Sequence, residues 1–227
     1  MMKLLVGLIF VAAATLVHAE MRQSEESRDD SWVDMHLSKF QSKIGDERLL
    51  SVFVKTVSFQ QKPVAAAKGP MNERRYPLGD YGFFRVEIPL SWKDELQQPP
   101  KRLPPTISLS PKAGNPFQIL ITPVWGAKKE VLKDEAIKGF VQDSAERVKP
   151  QSVEKTLQLA EIRGTSGNGY YFFSTDKAPK PGEYKYLTQG ALIVGELIVT
   201  FTILTNDNQE EVAKEALTIL SEARHLK

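Results

Sequence analysis

The order in which strand-like and helical apolar patterns follow one another constrains the fold most. In the C-terminal half of the chain, four strand-like segments lie between two segments of helical spacing. A parallel doubly wound sheet needs a helix between successive strands, whereas strands joined directly pair antiparallel. The order therefore predicts the α+β class, with helices packed against an antiparallel sheet. The predicted strands contain Phe84, Val86 and Ile88; Ile107 and Leu109; Phe117, Ile119 and Ile121; and residues 156–163, 170–173, 184–194 and 197–204.

Two segments have the spacing of amphipathic helices. The first begins near Asp134, a residue type that caps helices, and ends before Pro150. The second begins at Asn208, and Glu210 and Glu211 in its first turn complement the helix dipole. The predicted apolar faces are Ile137, Phe140, Val141, Ala145 and Val148 in the first helix, and Val212, Ala216, Leu217, Ile219, Leu220 and Ala223 in the second.

Residues 1–19 have the pattern of a secretory signal peptide. Lys3 precedes an almost uninterrupted apolar run at residues 4–17, and Ala19 is a small residue suited to the cleavage position. The run is shorter than the roughly 20 residues that span a bilayer. We expect cleavage after Ala19 and a soluble mature chain, periplasmic or secreted, with no transmembrane segment. An uncleaved membrane anchor is the alternative.

Residues 20–80 are predicted to form an N-terminal arm ahead of one domain at residues 81–227. Val33, Leu37, Phe40 and Ile44 recur at helical spacing and predict a short amphipathic helix. In one interpretation residues 33–44 pack on their own domain, and in the other they dock on a partner or a membrane surface. Residues 50–59 are typical of a strand, and residues 61–80 of a flexible link.

Charge and residue types exclude several functional classes. The chain has 30 basic and 28 acidic residues, and removal of Lys3 with the signal peptide leaves 29 basic residues. The sequence therefore lacks the excess of basic residues that is typical of nucleic-acid-binding proteins. The chain has no cysteine, which excludes disulfides, thiolate metal sites and a cysteine nucleophile. Only His36 and His225 follow the signal peptide, and neither has a partner nearby in sequence. We therefore expect no metal, no cofactor and no histidine-based triad.

Two motifs have both a chemical and a structural interpretation. Residues 164–169 space three glycines as G-x-x-G-x-G before an aromatic strand, whereas a dinucleotide site needs G-x-G-x-x-G before a helix. This spacing favours a structural turn. Acidic residues on the first helix, Asp134, Glu135, Asp143 and Glu146, alternate with basic ones. That pattern is typical of a solvated face rather than of paired catalytic carboxylates.

The segment at residues 174–186 is the strongest functional candidate. Pro181 and Gly182 fit the centre of a type II turn, and Asp176 can bond backbone amides just after a strand. The segment is a long hairpin connector in one interpretation and a recognition loop in the other, because a proline-stiffened loop loses little entropy on binding. The candidate contacts are Asp176, Lys177, Lys180, Glu183, Tyr184, Lys185 and Tyr186.

Trp92 and Trp125 both stand at predicted strand ends. Tryptophans at such positions commonly cover the edge of a core. The alternative is that the two indoles form a shared wall of a pocket.

Several stretches together resemble the PsbP-like family, which includes the photosystem extrinsic protein PsbP, a nuclear Ran-binding protein and exported bacterial members. The resemblance lies in Phe84-Arg-Val-Glu-Ile-Pro-Leu-Ser-Trp92, in Gly169-Tyr-Tyr-Phe-Phe, in the hairpin at residues 190–204 and in the terminal helix. It extends over residues 81–227. It implies an α/β/α sandwich with a central antiparallel sheet and a C-terminal amphipathic helix, and function through protein partners. It implies no catalytic residue.

The sequence thus predicts an exported binding or assembly factor whose partner is a protein of the cell envelope. The contacts would be the loop at residues 174–186 with Trp92 and Trp125. A small-ligand-binding protein or hydrolase-like enzyme is the alternative, and it requires a pocket between Trp92, Trp125 and the loop. A membrane-surface module acting through residues 33–44 is a third possibility.

Overall fold

The computed structural model describes residues 69–98, 104–125 and 133–227, which form ten strands and two helices. The predicted signal peptide, the predicted helix at 33–44 and the predicted strand at 50–59 lie outside these residues. The strands are β1 (Met71–Pro77), β2 (Phe83–Pro89), β3 (Trp92–Gln97), β4 (Thr106–Pro111), β5 (Gln118–Val124), β6 (Leu159–Arg163), β7 (Asn168–Thr175), β8 (Tyr186–Val194), β9 (Leu197–Thr205) and β10 (Arg224–Leu226); the helices are α1 (Asp134–Val148) and α2 (Glu210–Ser221).

The described strands form two antiparallel sheets. The large sheet has seven strands in the order β3-β4-β5-β9-β8-β7-β6, and the small sheet has the order β1-β2-β10. β8 and β9 form a hairpin whose turn contains Gly195 with φ 62°, as the pair Gly195-Glu196 predicts. The α+β class predicted from the order of the patterns is confirmed.

The large sheet carries a separate hydrophobic cluster on each face. Leu197, Val199, Phe201 and Ile203 of β9 share a cluster with α2 and with the inner face of the small sheet. Ile198, the alternate residue of the same strand, belongs to a second cluster with α1. Because alternate strand residues point to opposite faces, α1 and α2 lie on opposite sides of the sheet. The predicted sandwich is confirmed, with the small sheet added on the side of α2.

The predicted link at residues 61–80 is wrong for residues 71–77, which form β1. Tyr76 and Leu78 are buried in the core, and the Tyr76 hydroxyl donates a 3.0 Å hydrogen bond to Asp94 on β3. Arg74 forms an ion pair of 3.1 Å with the same carboxylate. One face of β1 is exposed, so the segment contains few apolar residues. The sequence therefore shows no alternation of apolar and polar residues that would predict a strand there. The domain therefore begins before residue 81.

The two predicted helices are present, with different starts. Lys133 occupies the cap position of α1 without a side-chain bond, so Asp134 is the first helical residue rather than the cap. Asn208 has φ 63° and lies outside α2, which begins at Glu210. The Gln209 side chain accepts a 2.7 Å hydrogen bond from the Asn206 amide and closes the turn before the helix.

Neither described helix combines the length and apolar character required to span a bilayer.

Candidate functional site

The turn at the tip of the loop has the geometry that its sequence predicts. Gly182 has φ 82°, and the Glu183 amide donates a 2.9 Å hydrogen bond to the Lys180 carbonyl. These features match a type II turn with Pro181 and Gly182 at its centre. The Glu183 carboxylate in turn accepts a 3.0 Å hydrogen bond from the Lys180 amide. Reciprocal bonding between Lys180 and Glu183 holds the tip in one conformation.

One side of the loop base is fastened to residues 149–154. Ser152 and Asp176 form an antiparallel bridge, and the Val153 amide donates a 2.8 Å hydrogen bond to the Thr175 carbonyl. Lys177 donates twice to this segment, from its amide to the Gln151 carbonyl at 3.0 Å and from Nζ to the Pro150 carbonyl at 3.1 Å. Asp176 Oδ1 accepts a hydrogen bond from the Ala178 amide at 2.9 Å, as expected from the sequence. Asp176 and Lys177 therefore act on the loop's own conformation.

Glu154 strengthens this attachment. Its carboxylate accepts hydrogen bonds from the Thr175 amide at 2.9 Å, from Thr175 Oγ1 at 2.7 Å and from Ser152 Oγ. Burial acts to raise the pKa of Glu154, but the hydrogen bonds from Ser152 and Thr175 prevail and lower it to about 2. The ionised carboxylate thus clamps the loop base. Sequence analysis missed this residue because Thr175, which donates two of these hydrogen bonds, lies 21 positions away.

The other side of the loop base is fastened to the segment after β9. The Tyr186 hydroxyl and Lys185 Nζ both donate to Asp207 Oδ1, at 2.6 Å and 2.8 Å. The Lys185 amide donates to Asn206 Oδ1 at 3.1 Å. Hydrogen bonds from Lys185 and then Tyr186 lower the pKa of Asp207, against a smaller opposing effect of burial. The bond to Asp207 raises the pKa of Lys185.

An exposed aromatic side chain lies beside this attachment. The Phe173 ring stacks on the Tyr186 ring with centroids 5.7 Å apart and planes at 28°. Lys185 Nζ lies 5.1 Å from the Tyr186 ring centroid. Phe173 is nevertheless 46% exposed. The Tyr186 ring is thus held by contacts of its own, whereas a large part of Phe173 faces solvent.

Val153 extends this apolar surface. The bridge between Ser152 and Asp176 places Val153 opposite Thr175, two residues along β7 from Phe173. Directly opposed residues and residues two apart share one face of a sheet. Val153 is 57% exposed. We call Val153, Phe173 and Tyr186 the aromatic patch.

Phe173 was missed by sequence analysis, although a signal for it exists. In the run Tyr170-Tyr-Phe-Phe173, successive side chains must alternate between the two faces of β7. Phe172 is buried in the cluster with α1, and Tyr171 packs against the cluster with α2. Phe173 points to the same face as Tyr171 but lies nearer the loop. A run of four aromatics at a strand end could have indicated that its last member is exposed.

Of the other predicted loop contacts, Lys180 is exposed and Tyr184 is half-buried. Burial raises the pKa of the Tyr184 hydroxyl.

Trp92 belongs to the core. Only 5% of it is exposed, and its ring packs against Phe117 with centroids 4.9 Å apart. Trp125 is partly buried and stacks on Tyr81 at 5.4 Å. Both residues thus cover core edges.

The predicted pocket between Trp92, Trp125 and the loop is wrong, because the sheet register separates its three parts. Along β9, Ile198 lies opposite Val124 and Thr205 lies opposite Tyr186. The offset of seven positions between these two levels corresponds to about 23 Å at ~3.3 Å per residue. Trp125, which follows Val124, is therefore at the far end of the sheet from the loop. Trp92 is on edge strand β3, with β4, β5 and β9 between it and β8.

The glycine-rich segment at residues 164–169 and the acidic residues of α1 both have the structural interpretation, as a turn and as a solvated helix face. The Gly164 amide donates a 2.8 Å hydrogen bond to the Gly167 carbonyl, closing a tight connection from β6 to β7. On α1, Glu146 contacts Gln142 and Lys149 at the surface. Within residues 69–98, 104–125 and 133–227, no group of His, Asp or Glu side chains could hold a metal ion.

No family model and no curated protein sequence matches the chain. Among solved structures, it is similar to LpqN of Mycobacterium tuberculosis, which is involved in cell envelope biogenesis, with 11% identity, a TM-score of 0.44, and coverage of 68% of this chain and 90% of LpqN. It is also similar to CyanoP, the cyanobacterial PsbP of Synechocystis, with 11% identity, a TM-score of 0.43, and coverage of 71% of this chain and 96% of CyanoP. Both are similarities of fold at 11% sequence identity.

Proposed function

We propose that the chain is an exported binding or accessory factor that recognises a protein of the cell envelope through the aromatic patch and the adjoining loop at residues 174–186. The observation that carries this proposal is the arrangement of Phe173. This residue is 46% exposed although its ring is stacked on Tyr186, which is itself bonded to Asp207. Phe173 adjoins Val153, which is 57% exposed, and contiguous exposed apolar surface is typical of protein interaction sites.

The rigidity of the surface favours recognition of a partner. Binding costs entropy when loops and side chains must be ordered, and a loop that is already bonded on both sides avoids most of that cost. Glu154 holds one side of the base and Asp207 the other. The tip is closed by Lys180 and Glu183.

The composition of the surface favours a protein partner. Aromatic side chains commonly dominate the binding energy at the centre of such interfaces, within a polar rim. Here Val153 and Phe173 would form the centre, and Lys177, Lys180 and Lys185 would contribute to the rim. Trp92 and Trp125 take no part in it.

The experiment is site-specific photo-cross-linking in the organism of origin. A photoreactive phenylalanine analogue replaces Phe173, and in a matched control it replaces Phe83, which is the same residue type and 44% exposed. We expect a discrete protein adduct from position 173 that is absent from position 83. Loss of the adduct on Lys180→Glu substitution would support the loop as part of the same surface. Identical adducts from both positions, or none from position 173, would refute the proposal.

A further inference from the structure

The outer edge of β6 is the open edge of the large sheet beside the aromatic patch. Among the described strands, β6 is last in the sheet order and pairs only with β7. Within the described ranges, no backbone hydrogen bond from another segment reaches residues 159–163. An unpaired edge is a template for adding a strand.

The register with β7 identifies which backbone groups point outward. The Gly164 amide donates to the Gly167 carbonyl at the end of this ladder. Hydrogen-bonded pairs alternate with non-bonded pairs in an antiparallel ladder, so Ile162 and Ala160 also bond to β7. The amides and carbonyls of Leu159, Glu161 and Arg163 therefore point away from the sheet.

Two opposite charges flank the centre of this edge. Glu161 and Arg163 are both exposed, and they form an ion pair of 3.3 Å with each other. Ile162 lies between them and faces the core on the side of α2. When the segment Glu161-Ile162-Arg163 of one copy is aligned antiparallel to the same segment of a second copy, each glutamate lies opposite an arginine.

We propose that two copies of this chain pair through β6 in an antiparallel arrangement centred on Ile162. Self-pairing requires outward-pointing residues to lie opposite one another, and the centres that pair at least two of them from each copy are Ala160, Glu161 and Ile162. A centre at Glu161 would place two glutamates together, and a centre at Ala160 would leave Arg163 unmatched. A centre at Ile162 places each Glu161 opposite Arg163 of the other copy, with four outward backbone hydrogen bonds. Opposite charges directly across strands stabilise a pair, and like charges destabilise it.

α2 contacts β6 on the face of Ile162, whereas Glu161 and Arg163 lie on the face of α1. α1 packs over β7 and β8 rather than over the edge strand, and its nearest charged groups, Asp134, Glu135 and Lys138, lie around Tyr170. A two-fold axis through Ile162 continues the sheet, and each copy keeps its own α1 on the same face. Such an interface is isologous, as in most homodimers.

The test is sedimentation analysis of the chain from Glu20 over a range of concentrations, with charge-reversal variants. Glu161→Arg and Arg163→Glu each place like charges opposite one another, so we expect each to weaken dimerisation about tenfold or more. The double variant Glu161→Arg/Arg163→Glu restores opposite charges and should dimerise like the wild type. An equimolar mixture of the two single variants should form a heterodimer, which also establishes that both are folded.

Two results would overturn the proposal. A wild-type chain that stays monomeric at the highest attainable concentration would show that the charges at this edge only prevent pairing. A dimer unaffected by all the charge reversals would place the interface elsewhere. Neither result bears on Phe173, so the proposed function is tested separately.

Discussion

The Tyr186 hydroxyl donates a 2.6 Å hydrogen bond to Asp207 Oδ1, joining the first residue of β8 to the connection between β9 and α2. The same tyrosine ring supports the exposed ring of Phe173. One residue therefore links the loop at residues 174–186 to the domain and positions the centre of the proposed binding surface.

Two substitutions at Tyr186 separate these roles. Tyr186→Phe keeps the ring and removes the hydroxyl, whereas Tyr186→Ala removes both. An aromatic pair contributes about 0.5–1.5 kcal/mol, which corresponds to roughly a two- to tenfold change in affinity. We expect Tyr186→Ala to weaken binding of the cross-linked partner within this range and Tyr186→Phe to weaken it less, measured by titration calorimetry. Equal losses in the two variants would assign the effect to the hydroxyl.

Phe173→Ser should weaken partner binding while leaving the domain folded. The side chain is 46% exposed, so its removal should lower the free energy of unfolding by only about 1–2 kcal/mol, mainly through the lost stacking on Tyr186. We expect the affinity to fall at least about tenfold, as for a central aromatic contact. Urea unfolding and calorimetry check both quantities, with Phe83→Ser as the matched control. A variant that binds normally removes Phe173 from the interface.

The Glu154 clamp should make stability depend on pH below about 4.5. Its pKa is about 2 in the folded protein, below the ordinary value of 4.5. The stabilisation is therefore complete above the ordinary value and is lost as the pH falls towards 2. Because the carboxylate is only partly buried, the shift corresponds to only about 1–2 kcal/mol after allowance for screening.

Glu154→Gln isolates this contribution. At pH 7 the variant should unfold at lower urea concentration than the wild type, and the difference should shrink between pH 4.5 and pH 2. Thr175→Val, which removes one of the donors, should give a smaller difference of the same sign. A wild-type protein and a Glu154→Gln variant that differ equally at pH 7 and pH 2.5 would contradict the assignment.

Phe84→Ala should be strongly destabilising. The side chain is 0% exposed, and β2 packs it between the small sheet and the large sheet. Truncation of a buried phenylalanine costs about 3–5 kcal/mol through lost burial and the cavity left behind. Urea unfolding measures the loss, and Phe83→Ala on the exposed face of the same strand is the control. Similar losses in the two variants would mean that the inward face of β2 is misassigned.

Substitution by alanine should change the free energy of unfolding in opposite directions at two glycines, Gly139 and Gly182. A Cβ at Gly139 or at Gly182 would meet no atom within 4 Å. Gly139 is inside α1, so Gly139→Ala should stabilise by about 0.5–1 kcal/mol. Gly182 has φ 82°, where an L side chain is strained, so Gly182→Ala should destabilise by about 1 kcal/mol. The free energy of urea unfolding distinguishes the two signs.

The sequence by itself determined the features that depend on local periodicity. Alternation placed Phe84, Val86 and Ile88 on the inner face of β2, and helical spacing identified the buried side of α1. Pro181 and Gly182 specified the turn at the loop tip, because proline fixes φ and glycine permits positive φ. These features require no knowledge of distant residues.

Only the tertiary structure decided what depends on contacts between distant segments. β1 and the short strand β10 contain mostly polar residues, and they form because β2 lies between them and pairs with both. Trp92 and Trp125 look equivalent in sequence, but the register of β5 on β9 places Trp125 far from the loop. Phe173 is exposed and Phe172 is buried because α1 covers one face of β7 while nothing described covers the loop end of the other. The packing of the whole domain determines which strands pair and which side chains are covered by other elements. No local sequence pattern encodes either.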